Sequence, residues 1–354
     1  MTRLIAAEIA GQRGWLGFER FMELALYAPG LGYYARGDRQ FGLMPASGSD
    51  FVTAPQLSPL FGATLARQVA QALEATRTDE LWEFGAGSGA LAAQVLTALG
   101  DRVRRYSIVE LSAPLRERQR QTLAAHETRL RWLDALPSRF SGVVLGNEVL
   151  DAMPVMLLHF DGRQWWERGV CVEAGRFQWR DRPTLARPPV EAAYAPGTVT
   201  ELGRHATGFM RTLAAGLERG AAFFIDYGFP EAEYYHPQRH GGTLMCHRGH
   251  RADTNPLADV GDKDITAHVD FSAVAVAGQD AGLTVLGYTS QARFLLNCGL
   301  LDGLHGADLR TTSHAHKLLA EHEMGELFKV VGFAAGGLEF EAMGFSAGDR
   351  THTL

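Results

Sequence analysis

The stretch LWEFGAGSGALAAQVL, residues 81–96, decides the fold. An apolar run ends at Phe84, glycines follow at 85, 87 and 89, and good helix formers begin at Ala90. Glycine permits a tight turn and close backbone approach, and a helix start offers N–H groups without intrahelical partners. A strand, a glycine-rich turn and a helix in this order open the nucleotide site of a doubly wound sheet. The alternation continues downstream in RYSIVEL (105–111), a helix over 113–126, LRWLDAL (130–136) and FSGVVLGNEVL (140–150). It returns in GAAFFIDYG (220–228), TLMCHRG (243–249), a helix near 270–281 and LTVLGYTSQARFLL (283–296). Short apolar strands alternating with amphipathic helices predict an α/β fold: a Rossmann-like parallel sheet with helices on both faces.

Two segments break that texture. Residues 1–78 read as a helical N-terminal extension or lid, with helices over 18–27 and 57–75 separated by the loop APGLGYYARGD and the segment SDFVTAPQLSPLFG. Residues 155–198 read as a β-rich insert for substrate or partner contact, with an Asp161-Gly162 hairpin turn and then a Pro-rich linker. A helix over 199–218 is expected to restore the core, which comprises 79–154 and 199–340.

The chain has 354 residues, 46% hydrophobic and 21% charged, an ordinary balance for a globular protein. Its net charge of −6 argues against a general nucleic-acid binder, which shows a basic stripe. Cys171, Cys246 and Cys298 are far apart and form no C-x-x-C pair, which fits a reducing compartment. Lysine stands only at 263, 317 and 329, a bias of composition in which arginine supplies nearly all positive charge. No apolar run reaches the roughly 18–20 residues of a membrane span. The opening MTRLIAAEIAGQRGWLGFER lacks the apolar centre and cleavage site of a signal peptide, so a cytoplasmic location is expected.

The glycine turn admits two cofactors. Gly85-x-Gly87-x-x-Ala90 satisfies the dinucleotide fingerprint, with Glu110 as the acid on a ribose, so an NAD dehydrogenase is one expectation. S-adenosylmethionine (SAM) is the stronger one. The third glycine is at 89, and Glu83 stands two residues before the first, where a cofactor with an α-ammonium group can use a carboxylate. Glu110 would accept from both ribose hydroxyls, and Asp134 is placed to accept from an adenine amino group. Acids at successive strand ends suit an uncharged nucleoside with an amino-acid tail and repel a pyrophosphate.

The fourth core strand ends in GVVLGNEVLDAMP (142–154), where Asn147, Glu148 and Asp151 crowd a buried strand end. Burying such groups unpaired is costly, so this is either a helix cap with a structural ion pair or the mouth of an active site.

The blocks YAPGLGYY (27–34), SDFVTAPQLSPLFG (49–62), EFGAGSG (83–89), VVLGNEVLDAMPV (143–155), FFIDYG (223–228), GGTLMCHRGH (241–250), DITAHVDFS (264–272) and GYTSQARFLL (287–296) together resemble the MidA-like family. These are class I SAM-dependent methyltransferases that include the mitochondrial complex I assembly factor methylating a protein arginine. The resemblance runs from about residue 20 to 330. It implies SAM held by Glu83, Gly85, Ala86, Gly87, Gly89, Glu110, Leu111, Asp134 and Asn147. It further implies Asn147, Glu148 and Asp151 as the catalytic group, gripping an arginine guanidinium of a protein substrate. Tyr34, Asp50, Phe51, Thr53, Pro55, Pro154, Asp226 and Tyr227 would line the lid and the substrate side, with Tyr33 beside Tyr34. The family usually has Gly-Asp-Phe and an acid after the proline, where this chain has Ser49 and Gln56.

Cys246, His247, His250, His236 and His240 suggest a metal, but methyl transfer to nitrogen needs none, and strand-end packing is expected instead. Trp165 and Trp166 are expected in the core of the insert. Two rivals remain to the arginine enzyme: a small-molecule methyltransferase, and an assembly factor that binds SAM with little turnover.

Overall fold

The computed structural model describes residues 1–36 and 53–354. Its main sheet follows a path of seven strands: β1 (Glu80–Phe84), β2 (Arg105–Val109), β3 (Leu130–Leu133), β4 (Phe140–Asn147), β5 (Leu217–Phe229), β6 (Thr284–Ser290) and β7 (Phe328–Ala335). They lie in the order β6-β7-β5-β4-β1-β2-β3, and Val269–Asp270 adds a short parallel pairing at the end of β5. From β3 to β5 every pairing is parallel, whereas β7 runs antiparallel to both neighbours. Strand order reverses between β1 and β4, so their carboxyl ends open a crevice at the switch point.

Burial on both faces explains the near-continuous apolar strands. Along β4, Val143 and Leu145 pack beneath helices Pro59–Thr76 and Ala90–Leu99. Val144 packs the other way, with side chains of helices Arg204–Gly216 and Phe271–Asp280. Gly146 is needed for close approach, because a Cβ there would lie 2.6 Å from the Phe224 ring.

The insert is an antiparallel sheet of Met156–Phe160, Trp165–Glu173, Arg176–Pro183 and Val199–Leu202, joined by Leu16–Gly17 from the N-terminal extension. Ile5, Ile9, Phe18, Phe21 and Leu26 share one apolar cluster with Leu157 and Val170 of the insert. The N-terminal helices therefore pack on the insert, while helix Pro59–Thr76 packs on the main sheet.

Two local expectations are corrected. Residues 199–202 are a strand paired with 156–159, and the helix starts only at Arg204. β-branched Val199 and Thr200 favour the ladder, and Gly203 stands at the break. Met245–Arg248 lies outside the main sheet, in a three-stranded sheet with Arg251–Asp253 and Asp264–Thr266. The fully buried β7, FKVVGFAA, is apolar apart from Lys329 and has no alternation to mark it as a strand.

Gly146→Ala should lower the urea midpoint at unchanged slope, by about 1–3 kcal/mol in stability, since the added Cβ would overlap the fully buried Phe224 ring. Gly208→Ala serves as the control. It sits in helix Arg204–Gly216 with no atom near the added Cβ, and should be neutral or stabilising by up to about 1 kcal/mol.

Candidate active site

The glycine turn has the backbone its sequence requires: φ is +64° at Gly85, +51° at Gly87 and +82° at Gly89, which caps helix Ala90–Leu99. A Cβ on Gly85 would meet Val149 Cγ2 at 2.7 Å, so the turn is packed against the loop that follows β4. Ala86 is buried beside it. Glu83 is also buried and accepts a hydrogen bond from Tyr106 Oη at 2.8 Å. Burial, with Glu110 adding repulsion, pushes its carboxyl up to about 7 despite the Tyr106 bond. A cationic ligand group would relieve that cost.

Glu110 follows β2 and is held on both oxygens: Ser112 N donates to Oε1 at 2.8 Å and Gln119 Nε2 to Oε2 at 3.2 Å. A carboxylate has about four lone-pair sites, so each oxygen keeps acceptor capacity for a diol. Burial raises the Glu110 pKa. Next to it Leu111 is 77% exposed, an apolar side chain free to lie against a base. Asp134, 86% exposed at its side chain, pairs with Arg116 at 2.5 Å, and Arg116 Nε donates to the Glu110 carbonyl at 2.6 Å. These residues fit SAM: donors of the glycine turn, an acid for an ammonium group, an acid for a ribose and an open apolar surface for adenine.

At the end of β4 the backbone turns sharply. Glu148 has φ +54°, a conformation rare for a residue with a Cβ and one that clusters at functional sites. Its N–H donates to Ile225 O at 2.9 Å. Asn147 Nδ2 donates to Glu148 Oε1 at 3.0 Å, while Asn147 Oδ1 is buried with no hydrogen-bond partner among the described residues. Asp151 Oδ2 accepts from Tyr227 Oη, and its buried Oδ1 likewise has no such partner. Pro154 ends this turn, buried, before the strand Met156–Phe160.

Asp226 was expected on the substrate side, and the structure assigns it a different task. Its Oδ2 accepts from the backbone N–H groups of Val149, Leu150 and Asp151 at 3.1, 2.9 and 3.3 Å. Its Oδ1 accepts from Tyr227 N at 3.0 Å. Oδ2 holds the turn that presents Glu148 and Asp151, and Oδ1 is engaged by the backbone of its own strand. Tyr227, by contrast, does face these acids.

Other site residues were not singled out from sequence. Asp264, buried on a strand of the small three-stranded sheet, accepts from Tyr34 Oη at 2.9 Å. Tyr34 stacks on Tyr27 at 5.7 Å, and Tyr27 Oη donates to Ala152 O at 2.8 Å. Asp264 lies 116 positions from Glu148 in sequence, with no local motif linking them. Tyr106 and Gln119 are likewise ordinary residues of a strand and a helix, and no periodic signal separates them from structural neighbours.

The acids press on one another. Burial first, then Asp151 and Asp264, pushes Glu148 up to about 8, while Asn147 and the Ala54 backbone pull it down. Burial raises Asp151 to about 6, and burial with Asp151 and Glu148 raises Asp226. Among the described residues no lysine or arginine forms an ion pair with Glu148, Asp151 or Asp226. Among those residues the cluster is an acidic wall without a counter-cation.

The lid segment is only partly described, since Ser49, Asp50 and Phe51 lie outside the described residues. Thr53 caps the short helix Ala54–Leu57 in a capping box with Gln56, which also donates to Ser88 Oγ at 3.3 Å. Gln56, expected to be an acid on the family pattern, thus ties this segment to the glycine turn. Pro55 O accepts from Gln94 Nε2 at 2.6 Å, a second tie to helix Ala90–Leu99. His247 and Cys246 sit on the strand Met245–Arg248, with His250 in the turn after it. Among the described residues no cluster of three or more potential ligands could hold a metal. Trp165 is core, while Trp166 donates to Asp161 Oδ2 at 2.8 Å and braces the hairpin turn.

A doubly wound sheet with antiparallel β7 inserted next to β5, a glycine turn after β1 and an acid after β2 has the architecture of a SAM-dependent methyltransferase. The profile of an S-adenosyl-L-methionine-dependent methyltransferase family matches residues 64–289, and the chain belongs to that family. A solved structure from Burkholderia thailandensis, bound to S-adenosyl-homocysteine, is 53% identical with a TM-score of 0.95, covering 100% of this chain and 96% of that one. The mitochondrial protein arginine methyltransferase NDUFAF7 of Danio rerio is 27% identical over 81% of this chain and 74% of its own length. The NDUFAF7 of Mus musculus is 28% identical over 79% and 70% respectively.

Because Glu148 is raised in the folded state, the native protein binds a proton there that the unfolded chain has already released. The stability this contributes is complete below the ordinary glutamate value and is lost as pH rises to about 8. The ligand-free Glu148→Gln protein should therefore gain on wild type between about pH 5 and pH 9, by about 1–3 kcal/mol after discount for the partial exposure of Glu148. Denaturant unfolding at both pH values measures it, and a pH-independent difference would contradict the burial account.

Proposed function

We propose that this methyltransferase transfers the methyl group to a guanidinium nitrogen of a protein arginine. The observation that supports this most is the acidic wall of half-buried Glu148 and buried Asp151, which have no lysine or arginine partner among the described residues, backed by Asn147 Oδ1 and Asp151 Oδ1, which accept no hydrogen bond from those residues. A planar cation with several N–H donors meets each of these needs, since carboxylates bind guanidinium in bidentate fashion. The names of the curated relatives, protein arginine methyltransferases, support the same substrate class.

SAM, when bound, supplies an electrophilic methyl on a sulfonium. The chain's own residues orient the acceptor and exclude water, which is most of what such a displacement requires. Glu148 and Asp151 would accept N–H bonds from the guanidinium, drawing its charge to two nitrogens and leaving the third nitrogen's lone pair free. Tyr227 holds Asp151 in place by donating to Oδ2. Tyr27 and Tyr34, stacked on each other, form an apolar wall whose hydroxyls are already bonded, suited to the aliphatic stem of an arginine. Each transfer would break the S–CH3 bond and form one C–N bond, leave S-adenosyl-homocysteine, and release one proton from the methylated nitrogen to water as the product departs.

Glu148→Gln should lower methyl transfer by about 100-fold or more, while S-adenosyl-homocysteine binding by calorimetry stays within about threefold. Lost cofactor binding in a folded protein would move Glu148 to the cofactor site. Incubation with labelled SAM and lysate lacking the protein should place label in protein arginines, read by mass spectrometry. Label found only in small metabolites would sink the protein substrate.

A further inference from the structure

Gln119 is fully buried in helix Ala113–Thr122, and its side chain reaches three other elements at the carboxyl edge of the sheet. Its Nε2 donates to Gly87 O at 3.1 Å and to Glu110 Oε2 at 3.2 Å, and its Oε1 accepts from Trp132 Nε1 at 2.9 Å. An indole N–H can only donate. The amide oxygen must therefore face Trp132, and the NH2 group must face Gly87 and Glu110.

This orientation has two consequences. The Gly87 carbonyl is drawn towards Gln119, and in a planar trans peptide the following N–H, that of Ser88, points the opposite way. The plane of the glycine turn is thus set from behind. The Glu110 carboxylate, held by Ser112 N on one oxygen and Gln119 on the other, is locked in one rotamer with acceptor capacity left on each oxygen. We infer that Gln119 is a positioning residue for the cofactor, coupling the plane of the glycine turn to the rotamer of the ribose acid through one buried amide. It touches no reacting atom, and it rests on SAM binding alone, independent of which substrate is methylated.

Gln119→Glu and Gln119→Met separate this role from packing. The charged and titratable groups round the amide are Glu110, Glu83, which repels Glu110 and is itself raised to about 7, Arg116 on the Glu110 carbonyl, Asp134 on Arg116, and Arg120 over the Trp132 ring at 5.1 Å. Gln119→Glu keeps the size and the acceptor for Trp132 but sets a second carboxylate against Glu110 and the Gly87 carbonyl. Calorimetry with S-adenosyl-homocysteine should find it weakened about 100-fold at about pH 8. At about pH 6 a shared proton restores a donor, and about tenfold of the loss should return. Wild type should show the opposite or no trend, because Glu110 itself gains protons as pH falls. Gln119→Met, which packs but cannot donate, should bind about tenfold more weakly at both pH values. Each variant is first checked for a cooperative thermal transition, and if Gln119→Glu lacks one, Gln119→Met decides alone. Binding within about twofold of wild type in Gln119→Met overturns the inference. So does a loss in Gln119→Glu that is the same at both pH values.

Discussion

One buried carboxylate sets the geometry of the active-site end of the sheet. Asp226, at the end of β5, gathers the N–H groups of Val149, Leu150 and Asp151 on one oxygen and that of Tyr227 on the other. The first three donors belong to the turn after β4, which has left the ladder and would otherwise bury unpaired N–H groups at considerable cost. With the turn held in this way, Glu148 adopts its left-handed backbone and Asp151 comes within reach of Tyr227. The neighbouring strand thus supplies the anchor, and the β4 turn supplies the chemistry.

The consequence is electrostatic. Glu148, Asp151 and Asp226 are brought together in a low-dielectric site, where each raises the cost of ionising the others. Structural carboxylates in that position are commonly paired with a cation, but among the described residues these acids have no lysine or arginine partner. Such an arrangement weakens the empty protein and favours whatever cation enters, because ligand binding recovers the charge pairing that folding omitted. Stability is surrendered locally, at the site, and the apolar clusters on both faces of the sheet compensate for it.

Much of this was legible in the chain. The glycine turn, Glu83, Glu110 and the Asn147-Glu148 strand end each follow from local patterns: apolar runs of strand length, glycines where φ must be positive, acids at strand ends. β7 escaped because a fully buried strand has no alternation to separate it from a helix segment. Residues 199–202 escaped because a four-residue edge strand preceding a helix resembles the first turn of that helix. Asp226 was visible as an acid at a strand end, but the same pattern describes an acid facing a ligand and an acid capping a neighbouring turn. Only the register of β5 against β4 distinguishes them.

The sequence by itself determined the class of sheet, the position of its nucleotide turn and the strand whose end carries the acids, because strand length, glycine conformation and hydrophobic period are local properties. Tertiary structure alone decided which acids meet. Asp264 comes from a separate small sheet, the Tyr27–Tyr34 pair from the N-terminal extension, and Gln119 from a helix between β2 and β3. Side-chain meetings of that kind depend on how distant elements pack, and no residue records in its own neighbourhood what will lie across from it.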